Sequence, residues 1–495
     1  MVGCVFFVLW FLSGLVMLYV EMPYLPRTEE RLAGARPLSE VVDPDRPLLG
    51  PAAALQSAEL DDVPGRMVLS VDGDEPVWRL ASGRAQLVTV AAGDGRALGP
   101  WNAEQARERA RDWLLRAGWI DADAGLESLG TVEVDQWTLD GFYHRHRPLH
   151  RFGLADGRRV HVGAASGEVV QGTTRRQRLL AYLGPVTHWL YPTWLRSRPP
   201  LWSAVVVWLS GLGIVTAALG LALGVLSLRR GGLQAHEGWL RWHHVLGLAF
   251  GTVTLTWVFS GWLSMDPVGL DASGAPTDEQ VRRMAGGPNR WDEFELPPER
   301  AVEAASRQIT VRELEPVFLA GAPFWVAYET PRRTLLVAAA HVDGTAPGEG
   351  STALRELPAE ALRAGASVLV EGAKLVSFER LEEYDHHYLS KRTSAQRRPL
   401  PVYRARYDDA ERTILYIDPH RGRLVQRVGS AQRLDRFFYR GLHSLDFAGL
   451  VNRRPLWDVM MIVLLLGGLA LSLTSIAVAS RRARRWLRLG GSRGE

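Results

Sequence analysis

The 495-residue chain has one cysteine, Cys4, and it lies inside an apolar run. No disulfide can form within a single copy and no Cys-ligated metal centre can be built, so water-exposed domains have to be held by packing alone. Also missing are a G-x-G-x-x-G following a strand, a P-loop and an H-E-x-x-H helix, as is a Gly-x-Ser-x-Gly elbow. Those absences exclude the usual nicotinamide- and flavin-binding domains, and they remove the main sequence arguments for a nucleotide hydrolase, a zinc protease or a serine hydrolase. The amino end carries no basic stretch, and no small-x-small cleavage site follows the first apolar run. That run therefore reads as a membrane helix rather than a signal peptide.

Four segments are long and apolar enough to suggest bilayer crossing: residues 1–20, 201–228, 243–265 and 456–480. Residues 21–200 and 266–455 are polar and each is large enough for a folded domain. The mean hydropathy of -0.06 fits a mixture of lipid-facing and water-facing chain. The formal net charge is only +4, and its placement matters more than its size. Arg229, Arg230 and Arg241 lie in the short connection 229–242, and the tail 481–495 begins with RRARRWLRL. Cytoplasmic flanks carry the excess of Lys and Arg, so both are expected to be cytoplasmic and the two large polar regions periplasmic. This is the topology of a multi-pass protein of a bacterial inner membrane, with membrane lipid as a partner. The basic residues serve as topology determinants, and no nucleic-acid partner is expected.

The chain is internally duplicated. THWLYPTWLRSRPPLW at Thr187 and LHSLDFAGLVNRRPLW at Leu442 each place a histidine, His188 or His443, fourteen positions before the tryptophan of a Pro-Leu-Trp that opens an apolar run. The first and third apolar runs match as well, with Trp10, Ser13 and Gly14 corresponding to Trp257, Ser260 and Gly261. Two such units facing each other would form a pseudo-symmetric four-helix core. The polar regions carry a smaller repeat of strand, turn and strand, starting at Pro76, Arg147, Ala322 and Leu400. VYRARY and RTILYID alternate with the period of two expected for half-buried antiparallel strands. NAEQARERARDWLLRAG reads as a helix capped by Asn102 and Gln105, with Ala106, Ala110, Trp113 and Leu114 on its apolar stripe. The expected fold class is therefore membrane α plus α+β, with four transmembrane helices and two outer regions, each built from two small α+β units.

A helix followed by strands that end in a D-x-x-x-G-x-[LV]-V-like hairpin, as in YIDPHRGRLVQRV, resembles the PepSY domain. Together with WFLSGLVMLYV, RWHHVLGLAFG and LHSLDF with its RPLW, nearly the whole chain resembles the PepSY-associated transmembrane family. That family includes iron-regulated membrane proteins and inner-membrane reductases of ferric siderophores. The resemblance implies membrane-bound haem b, two per full-length protein.

Haem iron held by two imidazoles needs one histidine from each side of the macrocycle and room for it between helices. The duplication brings His188 and His443 face to face across the pseudo-axis, the arrangement of a bis-histidine haem. The plainer account is a pair of interfacial helices with Trp189, Tyr191 and Trp194 at headgroup level. In the third apolar run, Gly247 and Gly251 follow His243 at four-residue steps, a strip over which a porphyrin could lie. His243 is favoured there over its neighbour His244, and the competing account is plain Gly-x-x-x-Gly helix packing. Ionisable groups near a membrane core are costly and usually functional. The repeat places the counterpart of His243 upstream of Met1, where the resemblance implies an H-R-W-x-G motif. The expectation is that this reading starts at an internal methionine of a longer frame. If Met1 is the true start, the inner haem lacks one axial ligand.

Two weaker clusters could bind a transition metal. His144 and His146 would share a strand face with His150 nearby, and His386 with His387 sits beside Glu382, Glu383 and Asp385. Arg404, Arg406 and Arg436 are candidates for anionic chelates. The reading these features support is an inner-membrane haem oxidoreductase. It would take electrons from a quinol or a cytoplasmic reductase and reduce an Fe(III)-siderophore, which binds Fe(II) far less tightly. Two alternatives use the same sequence: a membrane-anchored PepSY module that restrains an envelope peptidase, and electron delivery to copper or another envelope protein.

Overall fold

The computed structural model describes residues 2–25, 28–60, 64–83, 86–234, 236–267, 269, 273–340, 353–389 and 398–491. The expected turn at 341–344, the end of the histidine cluster at 390–392 and the last four residues of the basic tail lie outside the described residues. The chain divides into two compact units. One comprises residues 1–22, 176–273 and 431–495, and the other 23–175 and 274–430.

The first unit contains the apolar helices α1 (Val2–Met17), α2 (Pro199–Gly231), α3 (Gly238–Leu263) and α4 (Leu456–Gly491). Among the described residues three helices, Pro199–Gln234, Gly238–Leu263 and Leu456–Arg484, are long and apolar enough to cross a membrane. α1 has 16 residues, short of the ~20 that a hydrocarbon core requires. The expected fourth span is thus a shorter apolar helix. α2 opens with prolines in its first turn, where a missing N–H costs nothing. It exposes Trp208, Leu212, Leu219 and Leu223, apolar surface suited to lipid rather than water.

Among the described residues the second unit is built on three antiparallel sheets with fifteen strands. β1 (Arg66–Asp72), β2 (Glu75–Ser82), β3 (Gln86–Ala91) and β4 (Ala97–Leu98) come first, then β5 (Glu127–Val132), β6 (Leu149–Gly153), β7 (Arg159–Gly163) and β8 (Val169–Thr173). The later half supplies β9 (Glu313–Leu319), β10 (Ala322–Tyr328), β11 (Thr334–Ala338), β12 (Leu375–Leu381), β13 (Val402–Tyr407), β14 (Ile414–Asp418) and β15 (Arg423–Val428). Two sheets, β5-β6-β7-β8 and β12-β13-β14-β15, are four-stranded. The helix Ala103–Arg116 packs against the first of these. Its capping box is formed, with the Gln105 N–H donating to Asn102 Oδ1 and the Asn102 N–H to Gln105 Oε1, both at 3.0 Å. Ala106, Ala110, Trp113 and Leu114 are buried as the stripe requires.

The remaining strands depart from the expectation of two separate outer regions. They form one seven-stranded sheet, β11-β10-β9-β1-β2-β3-β4, in which Leu69 of β1 pairs with Leu314 of β9. Each of these strands would otherwise present an open edge, and pairing removes both. The two tryptophans Trp78 and Trp325, 247 positions apart in the sequence, meet on one face of this sheet with ring centres 6.1 Å apart. Their indole N–H groups donate to the carbonyls of Leu49 and Leu296 at 2.9 and 3.0 Å. The helices Pro51–Ser57 and Pro298–Ser306 both begin with a proline in the first turn, again 247 apart.

Alternation puts Met67 and Leu69 in this apolar core and Arg66, Val68 and Ser70 on the opposite face. There Glu313, 4% exposed, accepts from Arg31 Nη2 at 2.9 Å and Arg66 Nη2 at 3.1 Å. Burial opposes ionisation, but the Arg31 guanidinium and its hydrogen bonds, with Arg66 behind them, hold the carboxyl at about 2 against an ordinary 4.5. A depressed carboxyl contributes stability that is present above its unfolded value and lost as pH falls through the folded one. Glu313→Gln should destabilise the protein by about 3–5 kcal/mol at neutral pH, because it leaves buried guanidinium charge unpaired. Thermal unfolding followed from pH 7 down to about 2 should show the two proteins converging below the ordinary carboxyl value of 4.5. A variant as stable as the parent at pH 7 would contradict this.

Candidate cofactor site

The duplicated sequence elements converge in the first unit. His188 follows a π-helical turn, Tyr182–Val186, and His443 follows another, Arg436–Gly441. Two residues beyond each histidine the backbone turns left-handed, with φ of 50° at Leu190 and 47° at Leu445. The indole N–H of Trp202 then donates to the Trp189 carbonyl, and that of Trp457 to the Ser444 carbonyl, each at 3.0 Å. These two bonds give the fourteen-residue spacing its physical meaning. The tryptophan that opens each long helix ties down the residue immediately after the histidine.

Each imidazole is held by α1 or α3 in the same way. His188 Nδ1 lies 3.1 Å from Ser13 Oγ and 3.2 Å from the Trp10 carbonyl. His443 Nδ1 lies 3.0 Å from Ser260 Oγ and 3.2 Å from the Trp257 carbonyl. A carbonyl can only accept, so Nδ1 carries the proton in both rings and Nε2 carries the lone pair. The Ser260 hydroxyl gives its own proton to the Trp257 carbonyl and that of Ser13 to the Leu9 carbonyl, leaving oxygen lone pairs to accept from the imidazoles. Gly14 and Gly261 lie against the rings, and a Cβ there would make ordinary van der Waals contact with His188 Cε1 at 3.6 Å and His443 Cε1 at 3.7 Å. The two ring centres are 6.0 Å apart with planes at 76°. One departure from the symmetry is that Trp10 Nε1 donates to the His188 carbonyl while Trp257 Nε1 is buried without a hydrogen-bond partner among the described residues.

Glycines also set how closely the helices supporting these histidines approach. A Cβ on Gly468 of α4 would overlap the Phe11 ring of α1, and one on the equivalent Gly213 of α2 would stand 3.0 Å from Val258 Cγ1 of α3.

The second histidine pair is arranged differently from the expectation. His244 is buried, 6% exposed, and its Nε2 donates to the Gly224 carbonyl of α2 at 2.9 Å. His243 is half-buried, with Nδ1 3.3 Å from Thr474 Oγ1 and 3.2 Å from Ser475 Oγ of α4. The glycines below it do not form one open strip. A Cβ on Gly247 would meet Leu471 of α4 at 3.8 Å, and one on Gly251 would meet Leu221 of α2 at 3.2 Å. Each four-residue step advances roughly 40° around a helix, so two steps carry the strip from one neighbour to the next. His236, which the sequence offered no reason to single out, lies with its ring centre 5.2 Å from that of His244 and its Nε2 2.8 Å from Ser227 Oγ.

The weaker clusters do not assemble. His144 and His146 belong to a 3-10 turn, Gly141–His146, rather than to a strand. His146 Nδ1 bonds Ser166 Oγ at 2.9 Å, whereas His150 bonds Thr131 Oγ1 and the Trp101 carbonyl at 2.8 and 2.9 Å. The Asp385 carboxylate beside His386 and His387 is occupied by Tyr416, Arg404 and the backbone N–H groups of His387 and Tyr388. Among the described residues no group of three or more His, Cys, Asp or Glu is placed to hold a metal ion. Two of the arginines proposed for chelates are committed to carboxylates: Arg404 to Asp385 and Glu379, and Arg436 to Asp446. Arg406 is exposed on β13. A pair that sequence reasoning missed is buried His161 with partly exposed Asp135 at 2.7 Å. β7 is buried from Val160 to Gly163, so no alternation along the strand marks His161.

No family model matches the chain, and no curated protein shows a significant match to it. The geometry of the helix contacts predicts that Gly468→Leu, which drives a side chain into Phe11, lowers the thermal midpoint of the detergent-solubilised protein by a shift corresponding to about 1–3 kcal/mol. Gly211→Leu, at a position with open space around it, should leave the midpoint unchanged. Equal effects at the two positions would contradict the packing.

Proposed function

We propose that the chain is a haem-binding membrane oxidoreductase of the PepSY-associated transmembrane kind, which passes electrons to an acceptor on the side of its α+β unit. The observation that carries this reading is the mirrored pair His188 and His443. A first-row metal sits about 2 Å from a ligating imidazole nitrogen, which puts the ring centres of two axial histidines about 6 Å apart. The observed 6.0 Å agrees. The donor set fits too, because hydrogen bonds at Nδ1 fix the tautomer, orient the ring and raise the basicity of Nε2. Haem held there would supply one-electron redox chemistry. The imidazoles would hold it, Ser13 and Ser260 would keep the rings in place, and the apolar helices would exclude water. His243, in preference to its neighbour His244, is the proposed protein ligand of a second haem b.

Topology supports the placement of the acceptor. Strands from both polar regions pair in one sheet, which requires both regions on the same side of the membrane. Arg229 and Arg230 lie in the last turn of α2, and Arg481, Arg482 and Arg484 in the later part of α4; the excess of arginine on cytoplasmic flanks supports a cytoplasmic C-terminus and a periplasmic α+β unit. Electrons would enter from a quinol or a cytoplasmic reductase, and a ferric siderophore is the proposed acceptor.

Protein purified from haem-replete cells should show a sharp Soret band and, on reduction, resolved α and β bands. His188→Ala with His443→Ala should remove the outer haem and its share of the absorbance while the circular dichroism stays unchanged. The pair Ser13→Ala and Ser260→Ala should weaken haem retention by about 10–100-fold, the range for lost outer-shell partners. A double-histidine variant with unaltered pigment and midpoint potential would overturn the proposal.

A further inference from the structure

The face of the seven-stranded sheet that carries Arg66 and Glu313 lines a cavity of about 460 Å³ within the second unit. Its wall contains six arginines, Arg31, Arg66, Arg79, Arg145, Arg421 and Arg423, against three glutamates, Glu168, Glu313 and Glu315. Most of this charge is already paired. Glu313 takes Arg31 and Arg66, Glu315 takes Arg423 and the Tyr328 hydroxyl, and Arg421 lies 3.4 Å from Asp418. Arg79 bonds Ser70 and the Ser166 carbonyl, with Glu168 at 3.9 Å. With Asp418 beside Arg421 and Asp72 shared between Arg79 and Arg109 also counted, seven arginines face five carboxylates, an excess of two positive charges.

Two groups in the wall have no such partner. Among the described residues Arg145 makes no ion pair, and its Nε is buried without a hydrogen bond. Burial, followed by repulsion from Arg66, pushes its guanidinium below its ordinary value. The neighbouring His146 is 3% exposed, and its Nε2 is likewise buried and unbonded. Ser166 Oγ accepts the Glu168 backbone N–H at 3.2 Å and lies 2.9 Å from His146 Nδ1, a bond in which we take the serine hydroxyl as the donor. That assignment leaves Nε2 as a proton donor. Buried donors without acceptors are rare in folded proteins and call for an explanation. Here both belong to adjacent residues lining one cationic cavity.

We infer that this cavity binds a small polycarboxylate anion, with Arg145 and His146 Nε2–H as its principal donors. The excess of two positive charges matches a di- or tricarboxylate better than a monoanion, and planar guanidinium groups bind carboxylates through paired hydrogen bonds. The volume lies in the range of small-molecule sites and exceeds the need of a single inorganic ion. The inference does not depend on haem, since every residue it uses lies in the second unit.

The test is isothermal titration of the full chain in detergent with citrate, ferric citrate and acetate at low ionic strength. Citrate should bind at least tenfold more tightly than acetate. Arg145→Gln and His146→Gln should each weaken citrate binding at least tenfold, and Arg307→Gln, at an exposed side chain outside the cavity, should not. Tighter binding of ferric citrate than of citrate would assign the site to a metal chelate, and the reverse order to the free anion; either order supports the anion site. No citrate binding by the parent protein, or undiminished binding by an Arg145→Gln variant with an unchanged thermal midpoint, would overturn the inference.

Discussion

The organisation of the first unit depends on one repeated constraint: an imidazole whose Nδ1–H is shared between a serine hydroxyl and a tryptophan carbonyl on a neighbouring apolar helix. A backbone carbonyl three residues before that serine belongs to the same helix turn, so one short stretch of α1 or α3 fixes the ring from two atoms. The left-handed residue after the histidine and the indole bond from the following long helix then lock the segment at its other end. Because the same set occurs twice, the two rings meet each other without any further device. A single hydroxyl change would disturb one ring, whereas the pairing itself follows from the duplication.

A second consequence of duplication is seen in the α+β unit. There the two halves do not remain apart as a pair of similar domains. Their first sheets fuse through β1 and β9, and Trp78 meets Trp325 beneath the junction. Fusion buries an apolar face common to both halves and sets the alternate residues of β1 and β9 on the opposite face. That opposite face is strongly charged. Buried Glu313 on β9 neutralises Arg31 and Arg66 of the earlier half, so these ion pairs cross the same junction as the strands, while Glu315 pairs with Arg423 of β15 in its own half. Buried ion pairs of this kind are weak contributors to net stability but costly to break singly.

Much of this was legible in the sequence because the relevant signals are local and repeated. The capped helix beginning at Ala103, the strands around Val402 and Ile414, and the equivalence of Trp10, Ser13 and Gly14 with Trp257, Ser260 and Gly261 need only periodicity and self-comparison. Fusion of the two sheets was not legible, since either half has the alternation of an ordinary antiparallel sheet and nothing local says which edge stays open. The Gly247 and Gly251 strip failed as a single surface because helical drift across two steps decides which neighbour each glycine faces. His236 and the unpaired donors of Arg145 and His146 were invisible for a related reason. Their environment is made by residues distant in sequence, and an unsatisfied group is defined by what surrounds it.

In the proposed function His188 and His443 would together hold one haem iron. Electron paramagnetic resonance of the oxidised, purified protein addresses it directly, because ligand number and type set the spin state of ferric iron. The account predicts a low-spin ferric signal of the bis-imidazole type, with that component converted to high spin when either histidine alone is replaced by alanine. A low-spin signal untouched by either replacement, or no haem signal in protein from haem-replete cells, would contradict it.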